Sequence, residues 1–352
     1  MSTRDKAPRQ EAESGGAAAN PILVEATRGD MVESRHRAAV AVVDSDGTVV
    51  LQAGEIERLV YARSAIKPLQ ALALVESGAA EAFGLGDAEL SLACASHNGE
   101  PRHAETVAAW LERISCSAAD LECGAHLPYH QPSLEALLRS GQEATALHNN
   151  CSGKHSGFLS VARHLGHPTE GYIRFEHPVQ QMVLGILETL SGLDLSAAPR
   201  GIDGCGIPVL GMPLGNLALA MARFADPSNQ PEGRQAACAR LHAALAAEPF
   251  MIAGSGRFCT RVIEATAGRA LVKTGAEGVY CGALPELGLG FALKVDDGAG
   301  RAAEVICGRV LRRLGVIDEA QTAALAGAFQ PSLLNRAGTT VGELRTAADC
   351  PF

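Results

Sequence analysis

The chain is 352 residues long, 47% hydrophobic, and carries a formal net charge of -9. That acidic balance argues against nucleic acid or an anionic membrane as the main partner, and no basic run with interleaved aromatics offsets it. The longest apolar runs, such as Ala38–Val43, are far too short to span a bilayer, yet the apolar content is ample for a sizeable core.

Met1–Asn20 is rich in Ser, Gly, Ala, Glu and Arg without an apolar segment, and reads as a flexible tail rather than a signal peptide. Ala38–Val43, a turn ending in Asp46-Gly47, and Thr48–Ala53 predict a β-hairpin. Ser64 then stands directly before an apolar-periodic helix over Ala65–Ser77, with Pro68 in its first turn, where a missing N–H is cheap. From Glu89 to Phe250 the spacing is mostly helical, over 102–114, 132–139, 154–165, 178–191 and 233–247. Strand character returns at Ala270–Lys273, Val279–Ala283 and Leu289–Val295, followed by helices over 299–314 and 317–328 and a trailing C-terminus. Strands at both ends with helices between them predict an α/β (α+β) fold: one antiparallel sheet from N- and C-terminal segments, flanked by helices, with a helical subdomain inserted. The expected organisation is a tail over 1–20 and one catalytic domain over 21–352, its sheet part at 21–60 and 255–352 and its helical part at 61–254.

Ten cysteines occur with no Cys-x-x-Cys pair and no regular spacing, which argues against a disulfide framework and points to a soluble cytoplasmic protein. Lysine is the more telling residue. There are five, against twenty-five arginines, and three lie in short polar signatures. Only Lys can shed its proton near neutral pH, so these are candidate sites of amine chemistry.

Ser64-x-x-Lys67 places hydroxyl and amine on one face of a first helical turn, where a neutral Lys can activate a serine. Ser96-His97-Asn98 follows an apolar run, and Lys273-Thr274-Gly275 ends a predicted strand. These are the S-x-x-K, S-x-N and K-T-G elements of penicillin-recognising serine enzymes, in the same chain order. Each alone is weak; the set is not. A second cluster, His148-Asn-Asn-Cys151-Ser-Gly-Lys154-His155, has Cys151 and Lys154 three residues apart, and Cys205 sits in the Gly-flanked loop Asp203–Gly206. On spacing alone three readings stand: a Zn²⁺ site with two thiolates and a nitrogen, a satisfied polar core turn, or Cys151 as a nucleophile beside Lys154.

Ala62–Pro68, Cys94–Glu100, Asn149–His155, Gly201–Gly206 and Lys273–Gly275 together resemble the rhizobial-type L-asparaginases, from about Pro21 to the C-terminus. The resemblance implies a serine β-lactamase/glutaminase-like fold, a homodimer, bound zinc, and hydrolysis of L-asparagine to L-aspartate and ammonia. It makes Ser64 the nucleophile, Lys67 its general base held neutral by Lys273, Ser96 and Lys273 a second Ser–Lys pair, and Cys151, Lys154 and Cys205 the zinc ligands. Arg63, His97, Asn98 and Asp203 become candidates for holding substrate, with His155 and Cys259 near the site. Rival readings are a serine glutaminase, a penicillin-binding protein or β-lactamase, and a zinc-binding protein without catalysis.

Overall fold

The computed structural model describes residues 19–352. The proposed tail therefore lies outside the described residues except at its end. Asn20 there is buried, and its amide donates to Asp296 while its side-chain oxygen accepts from the Glu55 N–H.

Eleven strands form two sheets among the described residues. They are β1 (Ile22–Arg28), β2 (Met31–Asp44), β3 (Val49–Ala53), β4 (Leu59–Tyr61), β5 (Arg200–Ile202), β6 (Pro208–Pro213), β7 (Leu271–Thr274), β8 (Val279–Leu284), β9 (Leu289–Val295), β10 (Ser332–Leu334) and β11 (Thr340–Thr346). The large sheet runs β10-β11-β1-β2-β9-β8-β7, every pair antiparallel. The long β2 pairs with β1 through its first half; its second half, Ala38–Asp44, pairs with β9, and Val40–Val43 also pair with β3. The predicted hairpin is thus present, and the sheet joins N- and C-terminal segments with a mostly helical stretch between them, as the sequence order predicts.

Consecutive buried residues along β9, Gly290 to Leu293, show that both faces of the sheet are covered there. Helix Leu214–Ala225 packs on β2, β8 and β9, and helix Gly300–Arg313 packs on β8, β9 and β11. The first of these contacts is backbone on backbone. A Cβ at Gly290 would stand 2.0 Å from the Ala222 nitrogen and 2.5 Å from the Ala218 carbonyl oxygen.

The five predicted central helices appear as Pro101–Arg113, Gln131–Arg139, Ser152–Leu165, Pro178–Ser191 and Glu232–Ala247. Three features differ from expectation. The trailing C-terminus forms β10 and β11, which extend the sheet beyond β1. Strands β5 and β6, which join β4 in a small sheet β4-β6-β5, lie inside the part read as helical. Helix Phe258–Ala265 lies inside the part read as sheet.

Gly290→Ala is expected to destabilise the protein by about 1–3 kcal/mol, since neither the strand nor the helix backbone can yield freely. Urea denaturation would register this as a lower midpoint at unchanged slope.

Candidate active site

β4 delivers the chain into a tight turn. Arg63 takes φ +52°, a left-handed conformation uncommon for a side-chain-bearing residue, and a short 3-10 turn over Arg63–Ile66 leads into helix Lys67–Glu76. Such strain persists only where the surroundings over-determine it. Here the Arg63 guanidinium is tied to Asp203, with its Nε 2.7 Å from Oδ1. Ser64 follows at the edge of a cleft of about 590 Å³ lined also by Ser96, Asn98, Asn150, Ser255, Arg257 and Thr274–Ala276. Across from it, a Cβ on Gly275 would fall 2.7 Å from the Ala62 carbonyl oxygen and 3.3 Å from the Ala65 Cβ. The strand end and the serine turn meet only because position 275 has no side chain.

Beneath Ser64, Lys67 and Lys273 converge on Ser96. Lys67 Nζ donates to Ser96 Oγ at 3.1 Å and to the Ala95 carbonyl, and lies 3.1 Å from Cys151 Sγ. Lys273 Nζ lies 2.8 Å from the same Oγ and 2.7 Å from the Thr274 carbonyl oxygen. Both lysines are 1% exposed. Burial, and then the charge on Lys67, push the Lys273 amine down to about 7. The amine whose depression is seen is therefore Lys273.

The thiol side lies next to this pair. Gly153 lets helix Ser152–Leu165 press onto the Leu92 carbonyl, which a Cβ would approach to 2.2 Å, and Cys151 at the start of that helix meets Lys67. Lys154 Nζ is 3.0 Å from Cys205 Sγ. A hydrogen bond from the Cys205 thiol holds Cys151 well below the ordinary thiol range, assisted by the Lys67 and Lys154 charges. Burial opposes the charge on Lys154, but the two sulfurs hold its amine above its usual value. Among the described residues no group of three or more His, Cys, Asp and Glu is arranged to hold a metal. A metal at this point must take the lysine nitrogen. Cys151, Lys154 and Cys205 then offer two soft sulfurs and one nitrogen, a donor set that fits Zn²⁺.

The other sequence candidates are dispersed. Arg63 and Asp203 border a separate small cavity. His97 is fully buried, with Nε2 2.9 Å from Ser152 Oγ and Nδ1 accepting from the Gly99 N–H, and it stacks on His103 at 4.7 Å. Burial and the neighbouring His103 hold it well below the usual histidine range, so it is neutral. Asn98 does reach the cleft. His155 is buried against the Tyr172 hydroxyl, and Cys259 against that of Tyr280.

The model of the L-asparaginase II family matches residues 24–346. The chain belongs to the L-asparaginase II family. No curated protein matches the chain significantly. Among solved structures, the glutaminase Mglu is similar at 14% identity and TM-score 0.46, covering 80% of this chain and 62% of that one. A β-lactamase from Mycobacterium bovis is similar at 15% identity and TM-score 0.36, covering 83% and 95%. D-alanine carboxypeptidase AmpC from Burkholderia cenocepacia is similar at 14% and TM-score 0.39, covering 80% and 93%. The chain thus spans less than two thirds of the length of the first of these.

Within this asparaginase-family site, sequence reading missed the loop Gly254-Ser-Gly-Arg257, which brings Ser255 and Arg257 to the cleft. Its glycine pair at the end of the helical stretch was the available signal. Gly275→Ala is expected to reduce turnover at least about tenfold by displacing the Ser64 turn, with the loss read in kcat rather than in substrate affinity.

Proposed function

We propose that the protein is an L-asparaginase, hydrolysing L-asparagine to L-aspartate and ammonia through an acyl-enzyme on Ser64. What carries this reading is Ser96 held between the buried amines of Lys67 and Lys273, under a cleft that Ser64 borders. Ser64 stands three residues before Lys67, and the catalytic hydrogen bond between them forms when substrate displaces Lys67 from its resting partners. The Ser64 oxygen bonds to the side-chain amide carbon as its proton passes to the Lys67 amine. The resulting oxyanion collapses and the C–N bond breaks, the leaving nitrogen taking a proton relayed from Lys67 through the Ser96 hydroxyl. Ammonia departs and the ester remains. Water then adds to the ester carbon, giving its proton to the same amine, and the Ser64 oxygen leaves protonated with L-aspartate released.

The Gly275 N–H is already donated to the Val279 carbonyl at 2.7 Å. Ala276 is the next cleft-lining backbone, so its N–H and that of Ser64 are the proposed oxyanion donors. Cys151, Lys154 and Cys205 would hold a zinc ion, which when bound supplies a positive charge that polarises and orients the substrate. The Arg63–Asp203 pair fixes the turn that carries Ser64, and His97 steadies Ser152 beside the thiols. No helix among the described residues is long and apolar enough to cross a membrane. A cytoplasmic location is part of the proposal. A homodimer is proposed with it.

Ammonia release from asparagine and glutamine, by the protein and by Ser64→Ala, tests the reading. Asparagine turnover should exceed glutamine turnover and vanish in the variant; a glutamine preference would make the enzyme a serine glutaminase, and zinc without ammonia a binding protein. The scheme needs one neutral amine in the Lys67–Lys273 pair, and the Lys273 amine is pushed down to about 7, so kcat/KM should climb from pH 6 to 9 as the pair sheds a proton. A flat profile would sink the two-lysine mechanism. Purified protein should contain about one zinc per chain, and Cys151→Ala should lose it; metal analysis reads both.

A further inference from the structure

The loop after helix Pro249–Ala253 is fastened at every step to the Ser96–Glu100 segment. Ser96 and Asn98 donate their backbone N–H groups to the Ile252 and Ala253 carbonyls, each at 2.9 Å. The buried Glu100 carboxylate accepts from the Ser255 N–H at 2.7 Å and from its hydroxyl at 2.8 Å. Gly254 has φ +104°, and a Cβ there would stand 2.3 Å from Glu100 Oε1, so only glycine permits this seat. Asn98 turns its amide nitrogen toward Glu100 and the Ser255 carbonyl, which leaves its oxygen to accept from Arg257 Nη1 at 2.7 Å. The guanidinium is thereby aimed along the cleft wall by a neutral partner.

That neutrality is the informative part. Among the described residues Arg257 forms no ion pair, although Arg63, Arg102, Arg113 and Arg234 each pair with a carboxylate. Glu304 feels the Arg257 charge without contacting it, and burial holds its carboxyl above the usual range. The lysines beneath the cleft are committed to Ser96, and His130 at its rim faces Glu100 at 3.8 Å. Among the described residues no Asp or Glu lines the cleft. A half-buried, pre-aimed cation without a counter-charge, on the wall shared with Ser64, is a receptor for an anionic group.

On the strength of the amidohydrolase reading above, we infer that Arg257 holds the substrate's α-carboxylate, with Asn98 as its positioning residue. The site therefore selects amino-acid side-chain amides whose α-carboxylate is free. Carboxylate binding also changes the chemistry below it: the Arg257 charge is one of the causes that depress Lys273, and a bound anion offsets it.

The test is calorimetric titration of Ser64→Ala protein, as purified, with L-asparagine and with L-asparaginamide, which replaces the α-carboxylate by a neutral amide. Asparaginamide should bind about 10- to 100-fold more weakly. Adding Arg257→Gln should weaken asparagine by the same factor and leave asparaginamide unchanged, and Arg257→Lys should restore part of the difference. Asn98→Asp, which leaves Arg257 in place but neutralises it, should mimic the glutamine variant and carries the test should Arg257→Gln not fold. A preference for asparagine that persists in Arg257→Gln and Asn98→Asp overturns the inference, as does equal binding, or none, of the two ligands by Ser64→Ala. Ammonia release by the unmodified protein judges the enzymatic reading separately, so an active asparaginase that keeps its preference without Arg257 refutes only the carboxylate assignment.

Discussion

Two amines and one hydroxyl are held together where water does not reach, and the rest of the site follows from that. Taking an ammonium out of water is expensive, and a second one beside it is worse. The protein meets this with lone pairs rather than with carboxylates: the Ala95 and Thr274 carbonyls and the Ser96 hydroxyl receive the amine protons. The repulsion that remains falls on Lys273, which comes within reach of neutrality at ordinary pH. Cys151 supplies the local negative charge: it touches Lys67 and takes a hydrogen bond from the Cys205 thiol, which itself touches Lys154. Each lysine in the core is therefore meaningful only through its neighbours, and no single substitution among them acts on one residue alone.

These groups come from distant parts of the chain, and three backbone contacts bring them to one place. Gly275 seats the end of β7 on the serine turn, Gly153 seats the thiol-bearing helix on Leu92, and Gly254 seats the arginine loop on Glu100. Each joins an element to the segment that carries a reacting or binding group. The remaining strain lies in Arg63, directly before Ser64, where the left-handed backbone is held by the ion pair to Asp203. A loop is tolerable at an active site when a rigid frame fixes its ends, and β4, β7 and the helix Lys67–Glu76 supply that frame.

Much of this was legible in the amino-acid order because the signals were local. The Ser64–Lys67 spacing, the Asp46-Gly47 turn and the apolar period of the central helices each occupy a handful of residues. What escaped depended on partners far away in sequence. Met31–Arg37 alternates charge with small or apolar residues and gives no buried run, yet it is strand because β1 pairs with it. Ser332–Leu334 and Thr340–Thr346 likewise become strands through pairing with each other and with β1. Asp203 carried a recognisable Gly-flanked motif, but only the fold shows that its partner is Arg63. Arg257 carried none. A cation becomes a candidate receptor only when the structure shows what does not neutralise it.

The pairing of β1 with β11 joins Val24–Ala26 to Leu344–Thr346, near the two ends of the described residues. A ribosome makes β1 early and must add more than three hundred residues before its partner exists. At about 5–20 residues per second the nascent strand waits tens of seconds with that edge bare. Completion of the sheet, and with it full cooperativity, then waits on the synthesis of β11, and the waiting edge is the place where a nascent chain is most open to chaperones or to mispairing.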